Sequence, residues 1–195
     1  MEKDDMFEFL VKTAIPEKTH KKGEEPKKYP RIWDAIWRAH RDTLTGRYKL
    51  TDYIAAEGEN KHNVTKALYN KIENCVDRKE SISSESLISY LSEQPQKVEF
   101  GAIQKLVNMT LKYLIILKSF DLLVSKDLVP IDLDIDESKC HCPLDSIILE
   151  KLGHTELRWT SVSKDKYNDV QDEISKRLSS EEKPKGNIFY DFKYW

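Results

Sequence analysis

Lys105, Asn108 and Lys112 fall at i, i+3 and i+7 in the stretch FGAIQKLVNMTLKYLIIL (100–117), one stripe along one helix face. Leu106, Val107, Leu111, Leu114 and Ile115 fill much of the remaining surface. An ammonium is out of place in such company. Near a helix start, the aligned peptide dipoles disfavour it by roughly 0.3–1 kcal/mol. Partial desolvation lowers its pKa further. A deprotonated lysine is a nucleophile that forms Schiff bases. The spacing puts Lys105 in or near the first turn, four residues after Gly101.

A Schiff-base lysine needs a carboxylate nearby, and Asp145 is the candidate. It follows Pro143-Leu144 in CHCPLDSIIL, where an apolar helix is expected to begin, since proline suits a first turn. A carboxylate at a helix start is held by amide N–H groups and stays ionised. Two other clusters look like metal sites. Cys140-His141-Cys142, even with His154, lacks a second separated pair, and adjacent residues do not all reach one tetrahedral ion. DLDIDE (132–137) has no glycine at the sixth loop position and no glutamate at the twelfth, which excludes a calcium loop. No metal and no cofactor are expected. His141 is expected to line one cleft with Asp145.

The elements that must position these groups are helices. RIWDAIWRAHRDTL (31–44) places Ile32, Trp33, Ile36, Trp37 and His40 at helical spacing, and the two tryptophans read as core. NVTKALYNKIENCV (63–76) repeats Val64, Leu68, Ile72 and Val76. SISSESLISYL (81–91) opens with capping serines. The lysine helix ends near Lys118 or Ser119, and 120–142 is an irregular connector. PLDSIILEKL is closed by Gly153, and DKYNDVQDEISKRL (165–178) is amphipathic. A short helix is expected over 4–15, a lysine-rich exposed loop over 16–30, and a further segment from Tyr48 to a stop near Gly58. The aromatic tail GNIFYDFKYW reads as a strand or a pinned extended segment. Strand signals are few, so the fold class is mainly α. The expected organisation is a single domain over 1–195, with residues 1–30 as helix and basic loop and 31–195 as helical core.

Composition sets outer limits. With 195 residues, 39% hydrophobic and 34% charged, the chain supports one real core and is not disordered in type. Net charge is −2, so no global pull toward nucleic acid exists. Residues 11–50 are nonetheless basic, with eleven Lys/Arg against five Asp/Glu, enough to hold a polyanion locally. No stretch has eighteen uncharged apolar residues, so no membrane span is expected. MEKDDMFEFL lacks the features of a signal peptide, and three cysteines suit a reduced, cytoplasmic protein. A monomer is favoured.

QKLVNMTLKYL followed after a loop by Pro-Leu-Asp resembles the helix–hairpin–helix DNA glycosylases of the 8-oxoguanine type, closest to the archaeal GO glycosylase branch and the bacterial OGG-fold proteins. In that group a lysine opens a helix, a second lysine comes seven residues later, and Pro-x-Asp opens the next helix. Lys105, Lys112 and Pro143-Leu144-Asp145 match those features, and ELRWTSV (156–162) resembles the stretch just after the aspartate in that family. The resemblance covers about residues 98–165. The hairpin glycine pattern is reduced to Phe100-Gly101, the loop from lysine to aspartate is longer, and the iron–sulfur cysteines of some relatives are absent.

The resemblance implies a compact glycosylase-like helical fold and a bifunctional DNA glycosylase with AP lyase activity. The damaged nucleotide, 8-oxoguanine-like or otherwise modified, would be flipped from the duplex. Lys105 would attack its C1′, and Asp145 would stabilise the developing positive charge. Gly101, Asn108, Lys112 and His141 would serve substrate or DNA binding, with Lys112 on phosphate or supporting the site. Trp195 or Phe192 would stack on the base. The alternative is a catalytically inactive OGG-fold protein that binds DNA or a partner. A third is an all-helical regulatory protein, which the charge of −2 would suit.

Overall fold

The computed structural model describes residues 27–44, 63–94, 98–179 and 186–194. The expected helix over 4–15, most of the lysine-rich loop, the segment ending near Gly58, and Trp195 lie outside the described residues. Seven α-helices are described: α1 (Pro30–Leu44), α2 (Asn63–Arg78), α3 (Ser84–Ser92), α4 (Phe100–Ser119), α5 (Ser146–Leu152), α6 (Lys164–Leu178) and α7 (Ile188–Tyr194). Two 3₁₀ turns, Glu137–Lys139 and Trp159–Ser161, interrupt the connectors. Among the described residues β-pairing is limited to isolated bridges, Ile82 with Ile135 and Val124 with Pro130. The protein is mainly α and compact, as the periodicity requires.

α4 is the axis. Sixteen of its twenty residues are buried, and α1, α3 and the turn Trp159–Ser161 pack directly on it. By length and composition it is apolar enough to cross a bilayer. Here 89% of its most apolar window is buried inside the protein instead. Leucine, isoleucine and methionine on every side suit a helix that has neighbours all round. Ile36 and Ala39 of α1, Leu68 and Ile72 of α2, and Leu87 and Leu91 of α3 fill the core around it.

The short helices are fixed at their ends. Ser83 caps α3 through a reciprocal pair with Ser86, so two otherwise orphaned donors are satisfied. Gly153 ends α5 at φ 88°, the left-handed geometry that favours glycine. Ser163 caps α6 by accepting from the Lys166 N–H at 3.2 Å. Pro143 does not open a helix: it precedes the cap by two residues, and α5 begins at Ser146.

The tail is a helix, not a strand or an extended segment. Ile188, Tyr190 and Asp191 are buried along α7. Aromatic residues have weak helix propensity, so tertiary packing decides here. The docking is close: a Cβ on Gly186 would come within 1.7 Å of the Glu137 carbonyl oxygen. The Ile188 N–H donates to the Cys140 carbonyl at 3.0 Å, and Asn187 donates to the Gln171 carbonyl at 2.8 Å. α7 is thereby anchored to the stretch that leads into Asp145.

Candidate active site

Lys105 is the sixth residue of α4, in its second turn, and only 8% exposed. Its Nζ lies 4.4 Å from the centre of the Trp159 ring. Among the described residues it makes no hydrogen bond and no ion pair. Its pKa is lowered, and burial is the largest cause. Asp145, Asp42 and Asp191 oppose that shift through their charges. The expected desolvation is the main cause, Lys105 stands in the second turn rather than the first, and the charge of Asp145 favours the ammonium.

Asp145 is the N-cap of α5, and its side chain accepts from the Ile148 N–H at 3.0 Å. Its place is set by the residue beside the lysine. The Gln104 amide donates to the Leu144 carbonyl at 3.1 Å and accepts from the Leu144 N–H at 3.2 Å. Both backbone groups of the central Pro-Leu-Asp residue are thus satisfied by one buried side chain. Gln171 does the same for Cys142, at 3.0 and 2.8 Å. An extended segment in a core has no neighbouring strand to bond, so side-chain amides must replace it. Gln104→Leu removes donor and acceptor together. It is expected to cost about 2–4 kcal/mol, since each buried group left unpaired costs about 1–3 kcal/mol. A lower urea midpoint at unchanged m-value reports it.

Asn108 and Lys112, expected to face DNA, lie inside the protein. Asn108 is fully buried. Its Oδ1 accepts from Ser84 at 2.7 Å, while its Nδ2 donates to Tyr167 at 2.9 Å and to Gln104 at 3.4 Å. Lys112 is 1% exposed and pairs with Asp191 at 2.5 Å, near the Phe192 ring at 5.6 Å. A buried ammonium paired with a buried carboxylate suits the supporting role expected for Lys112 better than a phosphate contact. Burial pushes the Asp191 pKa up, against the pull of Lys112.

His141 lines a cavity of about 620 Å³ with Phe100, Tyr167, Glu85 and Asp172, and neither Lys105 nor Asp145 is among the residues lining that cavity. Its Nδ1 meets the Tyr167 hydroxyl at 2.9 Å. Asn108 already donates to that hydroxyl, which leaves the Tyr167 proton for His141. Burial lowers the His141 pKa, so the ring is held neutral. Gly101 takes a packing role: a Cβ there would stand 2.0 Å from the Trp159 carbonyl oxygen. Among the described residues no three His, Cys, Asp or Glu side chains converge as a metal site. Burial also raises the Cys140 thiol to about 12 and Cys142 well above its ordinary value.

Asp42, Asp191, Trp159 and Gln104 were missed in the sequence as site residues. Asp191 had a signal, a lone acid within an aromatic run. Asp42 had none: it belongs to α1 and reaches α4 through the Tyr113 hydroxyl, with Arg38 3.1 Å away. The site is a largely buried amine with no ion pair among the described residues, under the charge of a carboxylate fixed at a helix cap. It can add to an electrophilic carbon and stabilise the cation that forms. What fold and geometry define is a mainly α protein with a buried lysine in its central helix. No protein-family model, curated protein or solved structure matches the chain.

Proposed function

We propose that the protein is a DNA glycosylase with AP lyase activity, acting on an 8-oxoguanine-like or otherwise modified base through Lys105. One observation carries the proposal: Lys105 is buried, unpaired among the described residues and within the field of Asp145, itself fixed at a helix N-terminus. Burying a cation without an ion pair costs stability, and folds keep such groups mostly where they react. The extruded nucleotide would present C1′ to the amine. The lone pair of Nζ bonds to C1′ as the glycosidic C–N bond breaks. The base leaves with that electron pair and takes up a proton. The carboxylate of Asp145 stabilises positive charge on the sugar in that step. Loss of the amine proton and opening of the sugar give an imine. β-Elimination then breaks the C3′–O bond.

Borohydride reduction tests this. The full chain, mixed with duplexes carrying 8-oxoguanine or an abasic site, should yield a covalent protein–DNA adduct. Lys105→Gln should abolish it, and Asp145→Asn should reduce it by about 10²-fold or more, in line with loss of one charge-stabilising group. Absence of an adduct with every duplex would sink the enzymatic proposal. If salt-sensitive DNA retention survived that failure, the binding-only alternative would take its place.

A further inference from the structure

We infer that Trp159 is a positioning residue for Lys105, its indole capping the amine and keeping water from it. The ring centre stands 4.4 Å from Nζ, and among the described residues the amine makes no hydrogen bond and no ion pair. It is held there by backbone rather than by chance. The turn Trp159–Ser161 packs on the first turn of α4, where Gly101 allows the Trp159 and Thr160 carbonyls to approach. A Cβ at Gly101 would meet them at 2.0 and 2.8 Å. That glycine and that tryptophan are one device: the missing side chain on α4 is the space in which the capping turn sits.

A ring over an amine has two opposite effects. Its π-face attracts the ammonium, and its bulk excludes the water that would hydrate it. Hydration of an ammonium is the larger of the two. Among the described residues, the charges that act on Lys105 are Asp42 from α1, Asp145 at the cap of α5 and Asp191 from α7. All three favour the charged amine, as does the ring's π-face. Only burial works the other way, and the Trp159 ring over the amine contributes to it. The meaning of this for catalysis rests on the proposed role of Lys105. The cap itself does not.

The experiment reads the amine without DNA. Competitive labelling of the full chain with trace acetic anhydride, across pH, gives the titration midpoint of each lysine. In the native chain Lys105 should titrate below the exposed lysines. Trp159→Ala should move its midpoint up, toward the ordinary 10.5. Trp159→Phe, which keeps a ring, should leave most of the depression in place. Gly101→Ala, which displaces the turn with the tryptophan intact, should act like Trp159→Ala. Circular dichroism selects the variants that stay folded. A midpoint unchanged or lowered in Trp159→Ala, or in Gly101→Ala if the former is unfolded, overturns the inference. Borohydride trapping is scored separately: a native chain that shows the labelling shifts but never traps DNA keeps the cap and loses the glycosylase. A chain that traps DNA with no labelling shift does the reverse.

Discussion

Asp191→Leu is expected to cost the fold about 3–5 kcal/mol, because it takes the carboxylate partner from a buried ammonium, that of Lys112. The two groups are 2% and 1% exposed at their side chains and 2.5 Å apart. Both are shielded from water. Lys112→Met should cost a similar amount by stranding the carboxylate instead. The double variant Lys112→Met with Asp191→Leu should lose far less than the sum, since a buried pair replaced by apolar groups of similar size is often neutral or better. Urea titrations of the four proteins give the coupling energy directly. Additive losses would mean the pair is not a unit. The effect also has a place in the fold. The pair joins the middle of α4 to α7, a helix of seven residues that Gly186, Asn187, Ile188 and the buried Tyr190 also help to hold. Breaking it should release α7, and with it one of the three carboxylates acting on Lys105.

Lys105→Met is expected to make the protein more stable while ending any adduct formation. Methionine keeps an unbranched chain of similar length and removes a charge that has no ion pair among the described residues. The gain should be about 1–3 kcal/mol at neutral pH, or roughly 2–10 °C in Tm for a chain of this size. Its pH dependence has a definite sign. The folded pKa of Lys105 lies below the ordinary 10.5. Below the folded value both states carry the charge, and the burial penalty is fully present. Between the folded value and 10.5 the unfolded chain binds the extra proton, so native stability rises with pH. Above that window the penalty is gone. The advantage of Lys105→Met over the native chain should therefore shrink as pH is raised through the window. Thermal melts of both proteins from about pH 7 upward check it. A methionine variant less stable than the native chain at neutral pH would mean the amine is satisfied in the fold, and the case for a reactive lysine would weaken with it.

The helices were readable from periodicity and caps. α1, α2, α3, α4 and α6 begin and end within a few residues of the expected places, because their apolar stripes and capping serines act locally. α7 was not readable, since its aromatic residues favour strand by propensity and turn helical only when packed. The two site residues named first, Lys105 and Asp145, were visible for a local reason as well. A lysine in a greasy helix and a carboxylate at a helix start are anomalies of sequence. Asn108 and Lys112 share the stripe of Lys105, yet spacing alone gives no partner for them. α4 is surrounded, so one stripe meets three different neighbourhoods: Trp159 at Lys105, Tyr167 and Ser84 at Asn108, and Asp191 at Lys112.

The sequence by itself determined that the chain is mainly helical and that its most apolar helix carries two charges. Hydrophobic period and capping are short-range physics, so a linear reading reaches them. Which of the two lysines is paired was decided only by tertiary structure. Asp191, seventy-nine residues beyond Lys112, arrives because Gly186 lets the tail pack against Glu137. Trp159 arrives over Lys105 because Gly101 leaves room for a turn. Burial sets the two apart: one ammonium is paired with a buried carboxylate, and the other has no ion pair among the described residues and a tryptophan ring over it.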